Sequence, residues 1–216
     1  MIIDIREIPV IWINLDKAID NAEKMQNQLN NYGFKNHKRF SAVTPKILKE
    51  EWNFDNENYV HACGMSHFLI LSEMIDKGPV LILEDDAKIT NNFNPIIEID
   101  EKVDGIYVGI STGNIHYKSK RYNETFLRVA GMLSTHSILY LSENYKNTVK
   151  DVIAHFIFNL RYPFDVGISQ IQERFKILAP QYPYFIQSDE CSSEHKWEFF
   201  TTGPLTNKES IINDNI

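Results

Sequence analysis

The sequence predicts an α/β protein: one Rossmann-like domain with a mixed, mostly parallel central sheet that helices cover on both faces. Short apolar and β-branched runs alternate along the chain with segments of helical periodicity, which is the pattern of strands joined by crossover helices. One such run, residues 80–83, ends in three consecutive acids, Glu84, Asp85 and Asp86. A buried strand that ends in charge commonly delivers it to a cleft at the edge of a sheet.

The composition excludes several classes of protein. The 216 residues are 43% hydrophobic and 24% charged, which excludes disorder and fibrous repeats and suits a single domain. A net charge of −7 argues against binding of nucleic acid, since that needs a positive surface. We assign residues 1–200 to the domain and the polar residues 201–216 to a flexible C-terminal tail.

The sequence predicts no leader, membrane span or disulfide framework. The opening residues carry Asp4, Arg6 and Glu7 ahead of a short apolar run, and no later run reaches the length of a membrane span. The two cysteines, Cys63 and Cys191, form no metal-type pair. We therefore expect a cytoplasmic protein.

The first third of the chain alternates strands with helices. Residues 10–15 are mostly β-branched or aromatic and predict a strand with a polar exit. Apolar residues at helical spacing predict a helix over residues 19–33, where a glycine ends it. A second strand over residues 37–43 leads to Thr44, whose hydroxyl caps a short helix over residues 45–52.

The remaining elements continue this alternation. A longer helix over residues 60–77 ends at Gly78 and leads directly into the acidic strand. Residues 111–124 lack periodicity and carry three basic residues, which predicts a flexible loop able to close over a phosphate. The other predicted elements are strands at 105–109, 126–129, 137–141 and near 177, helices at 143–156 and 166–175 on either side of a break at 161–165, and an extended piece at 184–187.

Two polar strand exits are expected at one edge of this sheet. Residues 14–16 and 84–86 both follow predicted parallel strands, whose carboxyl ends face the same side, so a bound molecule can reach from one to the other. Because side chains alternate along an extended segment, Glu84 and Asp86 point one way and can share a divalent cation, while Asp85 points the other way. The alternative is a simple strand exit with solvated acids.

Several motifs occur in an order that resembles one enzyme family. They are INLD at residues 13–16, RFSAV at 39–43, CGMSH at 63–67 and LILEDDA at 81–87, followed by the looser matches IYVG at 106–109, THSILYLS at 135–142, YPFD at 162–165 and FIQSDECSS at 185–193. As an ordered set they resemble glycosyltransferase family 25, the lipooligosaccharide and collagen galactosyltransferases.

The resemblance implies a fold, an activity and a cofactor. It implies the GT-A fold and the transfer of a hexose such as galactose from a uridine diphosphate (UDP) sugar to a glycan, including a lipid-linked one in lipopolysaccharide biosynthesis, with manganese or magnesium. Asn21 stands where the family usually has an arginine, and Ala62 where it usually has a glycine. The acidic motif begins with Glu84 instead of aspartate, as the family allows.

The resemblance assigns the acidic motif to a metal ion. Glu84 and Asp86 offer hard oxygen ligands to manganese or magnesium, whose charge would offset that of the leaving diphosphate. His195 is the preferred third ligand, and Gln187 and Asp189 are alternatives from the same late segment. His195 also fits a surface histidine in a charged loop.

The catalytic base is expected among the later acids. An inverting transferase needs a base that takes the proton from the acceptor hydroxyl. Asp165 is the first candidate because it lies in a loop-like break after Pro163, and the alternative is that it caps the helix that follows. Asp189 is the reserve.

The donor nucleotide is expected at the first strand exit and beside the acidic motif. The first exit would bind the base and ribose, Arg39 a phosphate or the ribose, and Asp85 hydroxyls of the sugar or ribose. The alternatives are a strand-end turn for the first exit and an ion pair for Arg39. His67 has the alternative of a packed helix residue. The residues assigned to the donor are Asn14, Leu15, Asp16, Arg39, Ser66, His67 and Asp85.

Three functions are compatible with these motifs. The first is a metal-dependent glycosyltransferase with a nucleotide-sugar donor and a glycan acceptor. The second, suggested by Asn21, is a nucleotide-sugar or glycan binding module that has lost turnover. The third is a metal-dependent phosphoesterase at the acidic motif, which fits the acids but not the rest of the pattern.

Overall fold

The computed structural model describes residues 1–54, 58–109, 118–187 and 211–212. The helices are α1 (Ile19–Asn31), α2 (Pro45–Trp52), α3 (Tyr59–Met74), α4 (Glu143–Ala154) and α5 (Phe164–Ile171), with a π-helical segment (His155–Leu160) after α4 and a 3₁₀ turn (Gln172–Arg174) after α5. The strands are β1 (Ile2–Asp4), β2 (Val10–Asn14), β3 (His37–Ser41), β4 (Val80–Glu84), β5 (Ala87–Ile89), β6 (Ile96–Glu98), β7 (Gly105–Tyr107), β8 (Lys118–Arg121), β9 (Phe126–Ala130), β10 (Ser137–Tyr140), β11 (Ile177–Pro180), β12 (Phe185–Gln187) and β13 (Ile211–Ile212).

One mixed sheet organises the fold. Its strand order is β13-β8-β9-β11-β7-β10-β4-β2-β3. β2 lies parallel to both β3 and β4, whereas β10 runs antiparallel between β4 and β7. Parallel and antiparallel pairs are equally frequent among these strands, because β9 and β10 run against their neighbours. The predicted α/β class with a mixed sheet is confirmed.

The sheet separates two hydrophobic cores. Successive residues of β4 point to opposite faces, so Ile82 packs in one core and Leu81 and Leu83 in the other. The first core also contains buried residues of α3, α4 and α5, whereas the second contains Met25 and Leu29 of α1. Helices therefore cover both faces of the sheet, as the sequence predicts.

Helix α3 leads into the acidic strand through a closely fixed junction. The helix begins after Asn58, whose Oδ1 accepts a hydrogen bond from the Val60 amide at 2.8 Å. It ends at Met74, and Gly78 then adopts a left-handed φ of 78° before β4. Lys146 of α4 is buried, and its Nζ donates to the carbonyl oxygens of Met74 and Gly78. These bonds connect the last residue of α3 and the turn before β4 to α4.

One predicted loop is partly a strand. Residues 111–124 were expected to form a flexible loop, but β8 lies within this segment and pairs antiparallel with β9. Asn123 Oδ1 accepts hydrogen bonds from the amides of Thr125 at 2.8 Å and Phe126 at 2.7 Å, which closes the turn of the hairpin. The apolar residues of this hairpin lie on β9, so the polar sequence of β8 does not reveal a strand. Residues 110–117 lie outside the described residues.

The last part of the chain is described only at two residues. Ile211–Ile212 of the predicted tail 201–216 form β13, which pairs in parallel with β8. Among the helices of the described residues, none is both long and apolar enough to cross a membrane.

Candidate active site

Three strand ends meet at one edge of the sheet. β2 and β4 are adjacent and parallel, so their last residues, Asn14 and Glu84, emerge side by side. β10 begins where β4 ends, because the two strands are antiparallel, and this places Thr135 beside Glu84. The topology thus brings residues 14–16 and 84–86 to the same edge.

Glu84 is held by two side chains below a cleft. Its Oε1 accepts a hydrogen bond from Thr135 Oγ1 at 2.7 Å and lies 3.1 Å from His67 Nε2. Burial raises the pKa of Glu84, but the hydrogen bond and charge of the His67 ring and the hydrogen bond from Thr135 outweigh burial. The pKa therefore lies below its ordinary value, and Glu84 is ionised at neutral pH.

The pKa of Asp86 is shifted in the opposite direction to that of Glu84. Burial, followed by the charges of Glu84 and Asp85, raises the pKa of Asp86 to about 7. Its Oδ2 accepts a hydrogen bond from Gln187 Nε2 at 3.1 Å. Its Oδ1 is buried and has no hydrogen-bond partner among the described residues. An oxygen in this state, next to two other carboxylates, is suited to bind a cation.

Asp85 belongs to a network on the far side of the strand end. Asn14 is buried and donates from Nδ2 to Asp85 Oδ2 at 2.6 Å, and Asn21 of α1 donates to the same oxygen at 3.5 Å. Arg39 Nε donates to Asn14 Oδ1 at 2.8 Å, and its guanidinium pairs with Asp16. This is the ion pair that was the alternative for Arg39. Asn14 therefore orients Asp85, and the exposed Asp16 is tied to β3.

The structure does not bring every predicted donor residue to the cleft. Leu15 packs against the first core. Ser66 is fully buried, and its hydroxyl accepts from the Val43 amide at 2.9 Å and donates to the Ala62 carbonyl at 3.1 Å. The expectation that Ser66 contacts the donor is corrected, because α3 turns this side chain toward the segment after β3. His67 is also buried and reaches the site only through Glu84.

Asp165 lies at the rim of the cleft, in the first turn of α5. Its Oδ1 accepts a hydrogen bond from the Val166 amide at 2.9 Å, but the N-cap residue of this helix is Pro163, so Asp165 is not the cap. Its Oδ2 accepts from the Ser134 amide at 3.3 Å, and Asp165 borders a cleft of about 430 Å³. The side chains around this cleft include those of Cys63, Glu84, Thr135, Phe164, Asp165 and Gln187.

A second pocket, of about 310 Å³, lies between α1 and the acidic motif. Gln28 of α1 connects the helix to β5 beside this pocket. Its Nε2 donates to the Ala87 carbonyl at 3.0 Å, and its Oε1 accepts from the Ile89 amide at 2.8 Å. The polar residues around this pocket are Asn21, Lys24, Gln28, Asp85, Asp86 and Lys88.

Sequence reasoning missed two residues of this site. Thr135 lies in the motif THSILYLS, so the family resemblance carried a signal for it, although a threonine before a strand has no distinctive chemistry. Gln28 carried no signal, since it is one polar residue on an amphipathic helix. Asp189 and His195 fall outside the described residues, and their assigned roles stay predictions.

Comparison with a family profile identifies the chain at the level of family. The profile described as "Glycosyltransferase family 25 (LPS biosynthesis protein)" matches residues 7–161, well over half of the sequence. The chain belongs to glycosyltransferase family 25. The matched residues include strands β2 and β4, the acidic motif and Thr135. This glycosyltransferase therefore acts on a sugar donor and an acceptor.

One solved structure agrees with the fold of this family 25 glycosyltransferase. A glycosyltransferase involved in the glycosylation of the major capsid of PBCV-1 superposes with a TM-score of 0.53 at 12% identity, covering 86% of this chain and 94% of that one. The likeness supports an α/β fold of the GT-A type. The inositol-1-phosphate CTP transferase from T. maritima is more distant, with a TM-score of 0.46 at 8% identity over 90% of this chain and 94% of that one. No curated protein matches the sequence.

Proposed function

We propose that this glycosyltransferase moves a hexose, such as galactose, from a UDP-sugar to a hydroxyl of a glycan, with inversion and with Mn²⁺ or Mg²⁺. The observation that carries the proposal is the carboxylate of Asp86 at the end of β4. It is partly buried beside Glu84, and its buried Oδ1 has no hydrogen-bond partner within the described part of the chain. A buried polar atom without a partner costs free energy, so a bound cation would stabilise this arrangement.

Glu84 and Asp86 are the residues that would hold the ion. Both offer oxygen ligands, which Mg²⁺ and Mn²⁺ prefer. When bound, the ion supplies positive charge that offsets the charge developing on the leaving diphosphate. Gln187 orients Asp86 through a hydrogen bond, as His67 and Thr135 orient Glu84.

Asp165 is the proposed base. Its carboxylate borders the same cleft as Glu84, so an acceptor hydroxyl placed there could hydrogen bond to it and transfer its proton as the new bond forms. The two hydrogen bonds from backbone amides hold the carboxylate in position. Asp189 remains the reserve.

Asp85 is the proposed contact to hydroxyls of the ribose or sugar. Its Oδ2 is directed by Asn14, while the pocket beside it has space for part of a nucleotide. Asp16 is exposed, and the hydrogen bond from Arg39 and that from Ser41 lower its pKa, so it is ionised and able to accept from a ribose hydroxyl.

Asp86→Asn tests this proposal, because it keeps the shape of the side chain and removes its charge. Thermal unfolding is measured with individual UDP-sugars, with and without MnCl₂. A donor that binds the folded state raises its melting temperature. We expect one UDP-sugar to stabilise the wild type in the presence of Mn²⁺. Asp86→Asn should lose this response, while its circular dichroism spectrum shows an intact fold.

Asp151→Asn is the matched control. Asp151 lies on α4 with a side chain 74% exposed, and it is not among the residues around the cleft. This variant should respond as the wild type does. A wild type that responds to no UDP-sugar, or an Asp86→Asn protein that keeps the Mn²⁺-dependent response, would contradict the proposal.

A second candidate is a nucleotide-sugar binding module without turnover. Asn21 favours it, because this side chain lies 3.5 Å from Asp85 at the place where the family resemblance expects an arginine. A neutral amide gives less stabilisation to a diphosphate than a guanidinium does. Stabilisation by a UDP-sugar without any donor hydrolysis or transfer across a broad panel of acceptors would favour the binding module.

A further inference from the structure

Cys63 and His67 present a second group of possible metal ligands next to Glu84. They lie four residues apart on α3, so they share one face of the helix, as paired ligands do in helical metal sites. The Cys63 thiol, His67 Nε2 and a Glu84 carboxylate oxygen all lie within 4.8 Å of one another.

The distances suit one tetrahedral ion. Ligand atoms bound to one zinc ion are separated by roughly 3.3–3.8 Å, given bond lengths of about 2.0–2.3 Å. His67 Nε2 and Glu84 Oε1 are already 3.1 Å apart. The Cys63 sulfur therefore needs to approach them by about 1 Å or less, which a small side-chain rotation provides. Cys63 and Glu84 also border the cleft, so a water molecule can reach the fourth position.

The imidazole of His67 is free to act as a ligand. Its side chain is buried, and Nδ1 has no hydrogen-bond partner among the residues that the structure describes. No such partner fixes the tautomer, so Nε2 can either donate to Glu84 or present its lone pair to a metal ion. A buried ring in this position is directed at the site by packing against Phe164.

We propose that Cys63, His67 and Glu84 bind a thiophilic divalent metal ion, with Zn²⁺ as the biological candidate. A set of sulfur, imidazole and one carboxylate favours Zn²⁺ over Mn²⁺ and Mg²⁺, which prefer oxygen ligands alone. Binding releases the thiol proton of Cys63 to the solvent, and the proton of His67 Nε2, which faces Glu84, moves to Nδ1 so that the Nε2 lone pair binds the ion. Because the site uses Glu84, its occupation competes with the Mn²⁺ site, and Zn²⁺ is an inhibitor. The inhibition rests on the proposed function, whereas the binding does not.

Cobalt is the probe for this site, because a thiolate bound to Co²⁺ gives a charge-transfer absorption that oxygen and nitrogen ligands do not give. Co²⁺ is titrated into the full-length, metal-free, reduced protein. We expect one equivalent of Co²⁺ to produce the thiolate band together with visible absorption of a four-coordinate ion, and Zn²⁺ to abolish both. Mn²⁺ alone should give no such band, and because the two sites share Glu84, a large excess of Mn²⁺ should raise the Co²⁺ concentration needed to produce it.

Cys191 supplies a matched control, since it is the other cysteine of the chain. Cys191→Ser should keep the cobalt band, whereas Cys63→Ser should lose it and bind Zn²⁺ at least about 100-fold more weakly, because even the loss of an outer partner of a ligand costs about 10–100-fold. Cys63→Ala repeats the test if the serine is poorly tolerated at this position. Circular dichroism verifies the fold of each variant.

The outcomes separate the metal site from the proposed function. Absence of a 1:1 cobalt band in the wild type, or a band that survives in both Cys63 variants, overturns the metal site. Thermal stabilisation by a UDP-sugar and Mn²⁺ is measured on the same preparation without Co²⁺. A donor response without a cobalt band refutes only the zinc site, and a cobalt band without any donor response refutes only the proposed function.

Discussion

Glu84 and Asp86 are separated by one residue, yet the pKa values of their carboxyl groups are displaced in opposite directions. Glu84 receives hydrogen bonds from His67 and Thr135 that more than offset its burial. Asp86 is partly buried next to two other carboxylates, with the amide of Gln187 as its side-chain donor. Without a cation the site therefore holds one firmly ionised acid and one acid that is half protonated near neutral pH.

The stability of the metal-free protein should fall with rising pH because of Asp86. The pKa of its carboxyl group is raised to about 7 in the folded state, so between an ordinary aspartate pKa and 7 the folded protein holds a proton that the unfolded chain lacks. The free energy of unfolding decreases over this range. Asp86→Asn mimics the protonated form, and its melting temperature should exceed that of the wild type at pH 8 and approach it near pH 4.

Thermal unfolding across pH in the presence of a chelator measures this effect. Asp151→Asn serves again as the exposed comparison. Mn²⁺ competes with the same proton, so the stabilisation that Mn²⁺ gives to the wild type should weaken as the pH falls below 7. A wild type that is more stable than Asp86→Asn at pH 8 without metal would contradict the assignment.

The neighbours Ser66 and His67 show that a sequence motif does not determine the direction in which each of its side chains points. Both belong to CGMSH and both were assigned to the donor. They differ by about 100° around α3, so Ser66 bonds to the Val43 amide while His67 reaches Glu84. The helix was predictable, but its rotation about its axis depends on which apolar residues find a place in the core.

At the scale of the element, the connection between α3 and β4 positions the acidic motif. The sequence predicted a helix that runs up to Gly78, whereas α3 ends at Met74 and Gly78 follows with a left-handed φ of 78°. The ammonium group of Lys146 donates to the carbonyl of Met74, the last residue of α3, and to that of Gly78 in the connection to β4. Burial lowers the pKa of Lys146, and its two carbonyl partners accept hydrogen bonds from the ammonium group.

Lys146→Met should destabilise the protein by about 2–3 kcal/mol, because hydrogen bonds from a buried charged donor to the carbonyls of the buried Met74 and the exposed Gly78 are lost while the aliphatic volume is kept. Urea unfolding measures the change. Lys77→Met is the control at the same end of α3, since the Lys77 side chain is 51% exposed and pairs with Glu73 on the surface. Its effect should stay below about 0.5 kcal/mol. Equal effects of the two substitutions would show that the buried bonds add no stability.

At the scale of the whole molecule, one sheet joins the two hydrophobic cores. In the central sheet, every strand is hydrogen bonded to the next, from β3 at one edge to β13 at the other. Strands β2, β4 and β7 contribute side chains to both cores. The active-site edge includes residues supported by each core, because Glu84 contacts α3 and Asp85 contacts α1. This continuity favours one cooperative unit.

The protein should therefore unfold in a single transition, in line with one domain over residues 1–200. Urea unfolding is followed by tryptophan fluorescence, to which the buried Trp12 of the second core contributes, and by far-ultraviolet circular dichroism, which reports on the helices of both cores. The two curves should coincide. Two separate midpoints would show that the cores unfold independently and would contradict a single domain.

The sequence alone determined those features that depend on local pattern. Apolar runs and helical spacing identified β2, β4, α1 and α3. The ordered motifs indicated the family, which the profile over residues 7–161 confirmed. Each of these conclusions needs only neighbours along the chain.

Only the tertiary structure decided which groups meet across the chain. Thr135 lies 51 residues from Glu84 and bonds to it because β10 enters the sheet antiparallel to β4. β8 is a strand because β9 pairs with it, although its own residues are polar. The pKa values of the acids depend on such partners and on burial, neither of which local sequence contains. The physical reason is that hydrogen-bond partners and desolvation are set by strand order and helix rotation, after the elements themselves have formed.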